Sequence, residues 1–210
     1  TPIMREPLMF SDEGIYKGQR QVWDELNNKF KTDANNKPIR ESYTEEIEVR
    51  FAFLAQDKLS PPQPKTFLNN IRTKNHGKHY DGFCNGYSEA VRNYAVNRLK
   101  IDHKILNEDI MSGCQLSLLV FAKDVEFKGQ TKDQVTSSKV STVGSALTKE
   151  FFSRWLDANP ASAKLIVDKS IRAAKQREAN AKAKEEEDKA EVGTLGENLT
   201  GVLTNCTQRN

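Results

Sequence analysis

Residues 161–190 contain neither glycine nor proline and are dominated by Ala, Lys, Glu and Arg, residues that cost little to hold in an α-helix. A run of this length and composition can settle into little except one helix. Asn159-Pro160 stands directly before it, and proline suits the first turn, where its missing N–H leaves nothing unpaired. The helix is therefore placed at 159–190. Its apolar positions thin out after Ile171, so the distal half has no stripe to bury and must project, rest on a neighbour or be solvated. Gly193 and Gly196 are expected to end it and to leave 191–210 as a linker.

A core must then come from upstream, and the periodicity changes accordingly. Ile47, Val49, Phe51 and Phe53 alternate with Glu48, Arg50 and Ala52, the period of a half-buried strand. A second strand is expected at Thr66–Ile71 and a third at Gln115–Phe121, where Leu116, Leu118 and Val120 share a face. Between them Phe83, Tyr87, Val91, Tyr94 and Leu99 recur at helical spacing, and beyond them Leu147, Phe151 and Trp155 do so with Phe152 and Leu156 beside them. Residues 1–44 are broken by Pro2, Pro7, Gly14, Gly18 and the polar run from Asp33 to Pro38. They are expected to be irregular, with one short helix at Gln19–Phe30 built on Val22, Trp23, Leu26 and Phe30. Strands and helices in this order predict an α+β fold, a β-sheet packed by helices, over 45–158 with the long helix appended.

Composition narrows the function classes. The chain has 210 residues, enough for one domain with an extended tail. Lys+Arg 32 against Asp+Glu 29 gives a net charge of +3, too weak a bias to identify a nucleic-acid partner by charge alone. No run approaches the roughly 18 apolar residues of a membrane span, so a cytoplasmic protein with no membrane partner is expected. Cys84, Cys114 and Cys206 are widely spaced and odd in number, which suits reduced thiols better than a zinc site or a disulfide framework. The first residue is Thr1, which suggests a piece of a longer chain.

The self-contained catalytic signatures GxSxG, HExxH, GxxxxGK[ST] and GxGxxG after a strand do not occur. His76 and His79 stand three apart without supporting carboxylates or thiols, so hydrogen bonding in a loop or ladder is expected of them and no metal is assigned. Along the long helix Lys164, Lys169, Arg172, Lys175 and Arg177 could line a basic surface for DNA phosphates, or could be ordinary solubilising charge. The informative stretch is Phe127 to Lys132, where Gln130, Thr131 and Lys132 put an amide, a hydroxyl and a cation together in a glycine-containing loop after a strand. A lysine there can offer a point charge and three donors to a terminal phosphate, and a glutamine can orient its oxygens or a water.

Gln130-Thr131-Lys132-Asp133, followed by Ser137-Ser138-Lys139-Val140, resembles the QTK loop of the B subunits of bacterial type IIA DNA topoisomerases, the gyrase B and topoisomerase IV B forms. Other blocks fall in the same order. Phe67, Asn69, Asn70 and Ile71 are similar to that family's F-x-N-N-I strand, and Gly77, His79, Gly82 and Phe83 to its G-G-T-H-x-x-G-F. Glu108, Asp109 and Gly113 match parts of its E-D-x-R-E-G turn. Asn159-Pro160, Ala163-Lys164, Ile166-Val167, Ala173-Ala174 and Arg177-Glu178-Ala179 resemble its N-P-x-x-A-K-x-I-V and A-A-x-x-R-E-A helix. Residues 199–206 are similar to the segment leading into its TOPRIM domain.

The resemblance implies a transducer domain with a left-handed β-α-β crossover, a ribosomal-protein-like fold, and a long C-terminal helix running toward the DNA gate. It implies that Lys132 and Gln130 act in ATP turnover, and that Gln130, Thr131 and Lys132 contact an ATP held mainly by an N-terminal ATPase domain. It implies Mg2+ in that domain and not in this chain, since the asparagine ligand, the catalytic glutamate and the glycine-rich lid are not found here. The partners implied are double-stranded DNA, the A-type subunit and a second B subunit, and the chain alone is expected to hydrolyse nothing. A noncatalytic nucleic-acid-binding α+β module using the basic helix is the alternative reading. Against the family pattern, Cys84 stands where arginine is usual, Met111 and Ser112 replace arginine and glutamate, His76-Gly77-Lys78 replaces Gly-Gly-Thr, and 13–44 reads as an insertion.

Overall fold

Alternation in Ile47–Phe53 produces the centre of a five-stranded sheet. The computed structural model describes the backbone of residues 3–206 and the side chains of residues 3–186. The strands are β1 (Leu8–Gln21), β4 (Arg40–Ala55), β5 (Gln63–Leu68), β6 (Ile71–Arg72) and β7 (Cys114–Phe121), with β2 (Trp23–Asp24) and β3 (Lys29–Phe30) forming a separate small hairpin. The sheet order is β1-β4-β7-β5-β6. All its pairs are antiparallel except β5 with β7. Because β5 and β7 run parallel, the chain between them must cross over, and it does so through α1 (Lys78–Asn97) and α2 (Asn107–Met111).

One face of the sheet is covered by α1 and α3 (Ser138–Ala158). The inward set of β4, Ile47, Val49, Phe51 and Phe53, is buried there with Leu116, Leu118 and Val120 of β7. Phe53, Phe83, Tyr87 and Phe152 close an aromatic cluster, the Tyr87 and Phe152 rings 4.5 Å apart. Each such side chain contributes about 2–3 kcal/mol by leaving water. The two helices approach closely because Gly82 and Gly86 of α1 face the backbone of α3; a Cβ on Gly86 would stand 2.4 Å from the Ser145 carbonyl oxygen.

The N-terminal segment corrects the expectation of irregular chain. Residues 8–21 are a strand paired with β4 from Leu8↔Phe53 through Gln21↔Arg40. The short helix expected at Gln19–Phe30 does not form. Asp24 instead accepts the Leu26 N–H at 3.2 Å and the Asn27 side-chain N–H at 2.8 Å, Asn28 takes φ 50, and the resulting turn places Trp23 against Phe30 across β2 and β3 at 4.9 Å. Local side-chain bonding has captured the backbone that a helix would have needed. Since β4 pairs with β7 only over Glu48–Ala55, the β1–β4 ribbon runs on beyond the sheet.

The second strand also differs from its expected span. It ends at Leu68, because Asn69 (φ 49) and Asn70 (φ 65) form a turn with both central residues left-handed, the geometry that returns a tight hairpin. Ile71 lies on β6. Asn69 then ties the turn to the end of β7 through the Ala122 N–H and C=O, at 3.0 and 2.8 Å.

Helix α4 begins at Pro160 as expected, directly after α3, but its helical backbone runs to Cys206. Gly193 and Gly196 do not stop it; a helical glycine costs about 1 kcal/mol and no proline follows to forbid the next turn. The segment expected as a linker is thus helical through Cys206, and residues 207–210 lie outside the described residues. Ala163, Ile166, Val167 and Ala174 supply the buried stripe of α4. Among the described residues no helix is long and apolar enough to cross a membrane.

Candidate functional site

The connection from β7 to α3 folds back on itself. Phe127 and Val135 form an antiparallel bridge, the Lys128 N–H donates to the Gln134 carbonyl at 2.8 Å and the Thr136 N–H to the Glu126 carbonyl at 3.0 Å. The tip is therefore Gly129 to Lys132, all exposed. Gly129 takes φ 73 and Lys132 φ 54, so the tip holds two left-handed residues, one of which is not glycine. Gln130, Thr131 and Lys132 are brought together on this tip as the sequence predicts. The Lys132 ammonium sits 5.9 Å from the centre of the Phe127 ring, within cation–π range. It pairs with no carboxylate among the described residues.

Two sets of contacts fix this loop to the body. On one side, the Asn75 N–H donates to the Asp133 carbonyl at 2.9 Å, the Val135 N–H to the His76 carbonyl at 3.0 Å and the Lys78 N–H to the Val135 carbonyl at 2.9 Å. Gly77 is required here: it has φ 119, and a Cβ would lie 2.3 Å from the Val135 carbonyl oxygen. His76, at φ 54, occupies a backbone conformation that suits the glycine of the family pattern. The strap continues inward, with His76 Nδ1 2.8 Å from the Thr66 hydroxyl and His79 Nε2 3.1 Å from the Thr73 hydroxyl. The two histidines thus serve hydrogen bonding. Burial, and to a lesser extent His76, pushes the pKa of His79 down to about 4, and its Nδ1 has no partner among the described residues.

On the other side, the Lys139 ammonium donates to Glu45 at 2.6 Å and to the Lys123 carbonyl. Glu45 also accepts the Lys123 N–H at 2.7 Å, and Ser137 Oγ accepts the Glu126 N–H at 2.6 Å. Both side chains of the ion pair are at most 10% exposed. Sequence reasoning missed Glu45 and Lys139. The one available signal was the position of Lys139 beside the buried stripe of α3; its partner lies ninety-four residues away.

The basic face expected on α4 is corrected by the structure. Lys169 is fully buried, and its ammonium donates to the Ile110 and Ser112 carbonyls at 3.1 and 2.6 Å. It satisfies carbonyls left open at the end of α2 and cannot reach a phosphate. Arg177 makes two bonds of 3.1 Å to Asp109, and Arg172 is paired with Asp57. Lys164 and Lys175 remain exposed. Cys84 and Cys114 are free and buried, and burial pushes both thiols up, Cys84 to about 12; the Cys206 side chain lies outside the described residues. No group of three or more His, Cys, Asp or Glu that could hold a metal occurs among the described residues.

Known proteins resemble this chain over most of its length. The family model described as DNA gyrase B matches residues 16–186. Among curated relatives, the DNA gyrase B subunit of Campylobacter jejuni is 30% identical, over 96% of this chain and 27% of its own. That of Halalkalibacterium halodurans is 31% identical, over 95% of this chain and 32% of its own. The chain therefore spans about a third or less of these relatives' length. Among solved structures, the topoisomerase IV ATP-binding domain of Francisella tularensis, in complex with a small-molecule inhibitor, has a TM-score of 0.57 and 25% identity, covering 62% of this chain and 36% of that one. The 43K ATPase domain of Thermus thermophilus gyrase B, in complex with an aminocoumarin, shares the fold with a TM-score of 0.59 at 23% identity, covering 87% of this chain and 43% of that one. With a family model matched across most of its length and a sheet-and-helix architecture shared with the solved relatives, the chain belongs to the DNA gyrase B family.

Proposed function

We propose that this chain is the transducer part of an ATP-dependent type IIA DNA topoisomerase B subunit, and that Lys132 and Gln130 report the presence of the ATP γ-phosphate to the rest of the molecule. The observation that carries this reading is Lys132 itself, an exposed cation without a carboxylate partner among the described residues, on a tip whose stem is bonded to α1 and to β4. Lys132 donates to the γ-phosphate of an ATP bound by a neighbouring domain, with Gln130 and Thr131 beside it. ATP and its Mg2+ are held there, and this chain alone hydrolyses nothing. A contact made only to the terminal phosphate favours the nucleotide-bound arrangement and is lost after hydrolysis. One charge-assisted hydrogen bond of about 1.5–3 kcal/mol biases the two arrangements by more than tenfold.

The partners in this reading are double-stranded DNA, an A-type subunit and a second B subunit, and the outcome is coupling of ATP binding and hydrolysis to strand passage. The alternative, a noncatalytic module binding nucleic acid through α4, loses its main support, because Lys169, Arg172 and Arg177 are engaged within the chain. The test is Lys132→Ala in the full-length protein. ATP turnover and strand passage should fall at least tenfold with an unchanged melting temperature. Near-normal turnover and strand passage in that variant would overturn the reading.

A further inference from the structure

Where the β1–β4 ribbon leaves the sheet its two faces are unlike. Period-two alternation turns Gly14, Tyr16 and Arg20 of β1, with Glu41, Tyr43 and Glu45 of β4, to one side. On that side Gly14 packs against Val143 and Leu147 of α3, Arg20 pairs with Glu41 at 2.7 Å and Glu45 with Lys139. Beyond Ile15, the opposite face carries Lys17, Gln19 and Gln21 on β1 and Arg40, Ser42 and Thr44 on β4, all exposed. It holds two cations and four neutral hydrogen-bonding side chains, with no carboxylate and no large apolar residue. Neither Lys17 nor Arg40 pairs with a carboxylate among the described residues.

Charge is also sorted along this face. Glu13, Glu46 and Glu48 lie at its sheet end, whereas the far end leads to Lys29, Lys31 and Lys37, all exposed. Three of the four acids at that far end are occupied: Asp24 and Asp33 accept bonds from N–H groups of their own turns and Glu41 from Arg20, leaving Glu25 exposed beside Lys29, Lys31 and Lys37. A two-stranded ribbon alone in water is only marginally stable. The stretch itself has no apolar residue on its outer face, so its two cations favour an anionic partner, whereas the exposed Trp23, Leu26 and Phe30 lie beyond it on the β2–β3 hairpin.

We propose that this outer face docks on duplex DNA, with the ribbon lying in the major groove. That groove is about 12 Å wide and admits a two-stranded ribbon. Lys17 and Arg40 neutralise phosphates, while Gln19, Gln21, Ser42 and Thr44 donate to phosphate oxygens or base edges. The site is separate from the Lys132 loop and shares with the function proposed above only its partner.

The test uses this chain without nucleotide, so that its failure leaves the role of Lys132 untouched. Binding to a short fluorescent DNA duplex is read by anisotropy across a series of salt concentrations. The Lys17→Gln/Arg40→Gln variant should bind on the order of tenfold more weakly at about 0.1 M salt, and its log–log salt slope should be shallower by about 2. A Lys164→Gln/Lys175→Gln variant should bind as the wild type does. Unchanged affinity and slope in the ribbon variant would overturn the proposal, as would a loss confined to the α4 variant. A matching RNA duplex should bind more weakly, since the A-form major groove is too narrow for side chains to read; equal affinity would contradict the groove geometry.

Discussion

Lys169 and Lys132 are both lysines expected to meet phosphate, and the fold gives them opposite fates. Lys169 lies one turn beyond the buried pair Ile166 and Val167, on the side of α4 that meets α2, and donates to carbonyls nearly sixty residues away. Helical periodicity could place it near the stripe, but could not supply its acceptors. The exposure of Lys132 was legible because it stands in a polar, glycine-containing loop. His79 belongs to the buried group, with a folded-state pKa pushed down to about 4 from an ordinary value of 6.5. Between those values the unfolded chain binds a proton that the folded chain does not, so stability falls as pH drops. Wild-type protein should lose about 2 kcal/mol from this group between pH 7 and pH 5, measured by urea denaturation. His79→Gln, which keeps a donor toward Thr73, should flatten that dependence; an unchanged pH slope would exclude His79 as its source.

Helices α1, α3 and the start of α4, and the strand from Ile47, were readable because each buries one continuous face. The ribbon was not. Most of its outer positions are polar and two glycines interrupt β1, so no period stands out against the background; pairing with β4 along the whole of β1 makes it a strand. The apparent helix at Gln19–Phe30 rested on four apolar residues, of which Trp23 and Phe30 pack as a cross-strand pair, Leu26 is exposed and Val22 is half-buried. The contact of α1 with α3 has its own requirement for small residues. Gly86→Ala would force its methyl group against the Ser145 carbonyl and should cost about 1–3 kcal/mol, read as a lowered denaturation midpoint. No change would mean that the two helices slide apart freely.

Across the whole molecule the same loop touches both layers. Its stem is bridged to the entry of α1 through His76 and Val135, and its ends are held to β4 through Glu45 and Lys139. A force applied at Lys132 therefore meets the sheet and the helices together, and α3 passes directly into α4. The order of motifs gave the middle of the sheet and the helices on it, whereas the β1 edge, and with it Glu45 and Lys139, emerges only once the ribbon has been folded onto α3. Acylation of lysines in the full-length protein, quantified by mass spectrometry with ADP or with a non-hydrolysable ATP analogue bound, tests the central claim most directly. The account predicts that the ATP analogue protects the Lys132 amine severalfold while ADP leaves it as reactive as in the nucleotide-free protein. Equal labelling of Lys132 in all three states would contradict it.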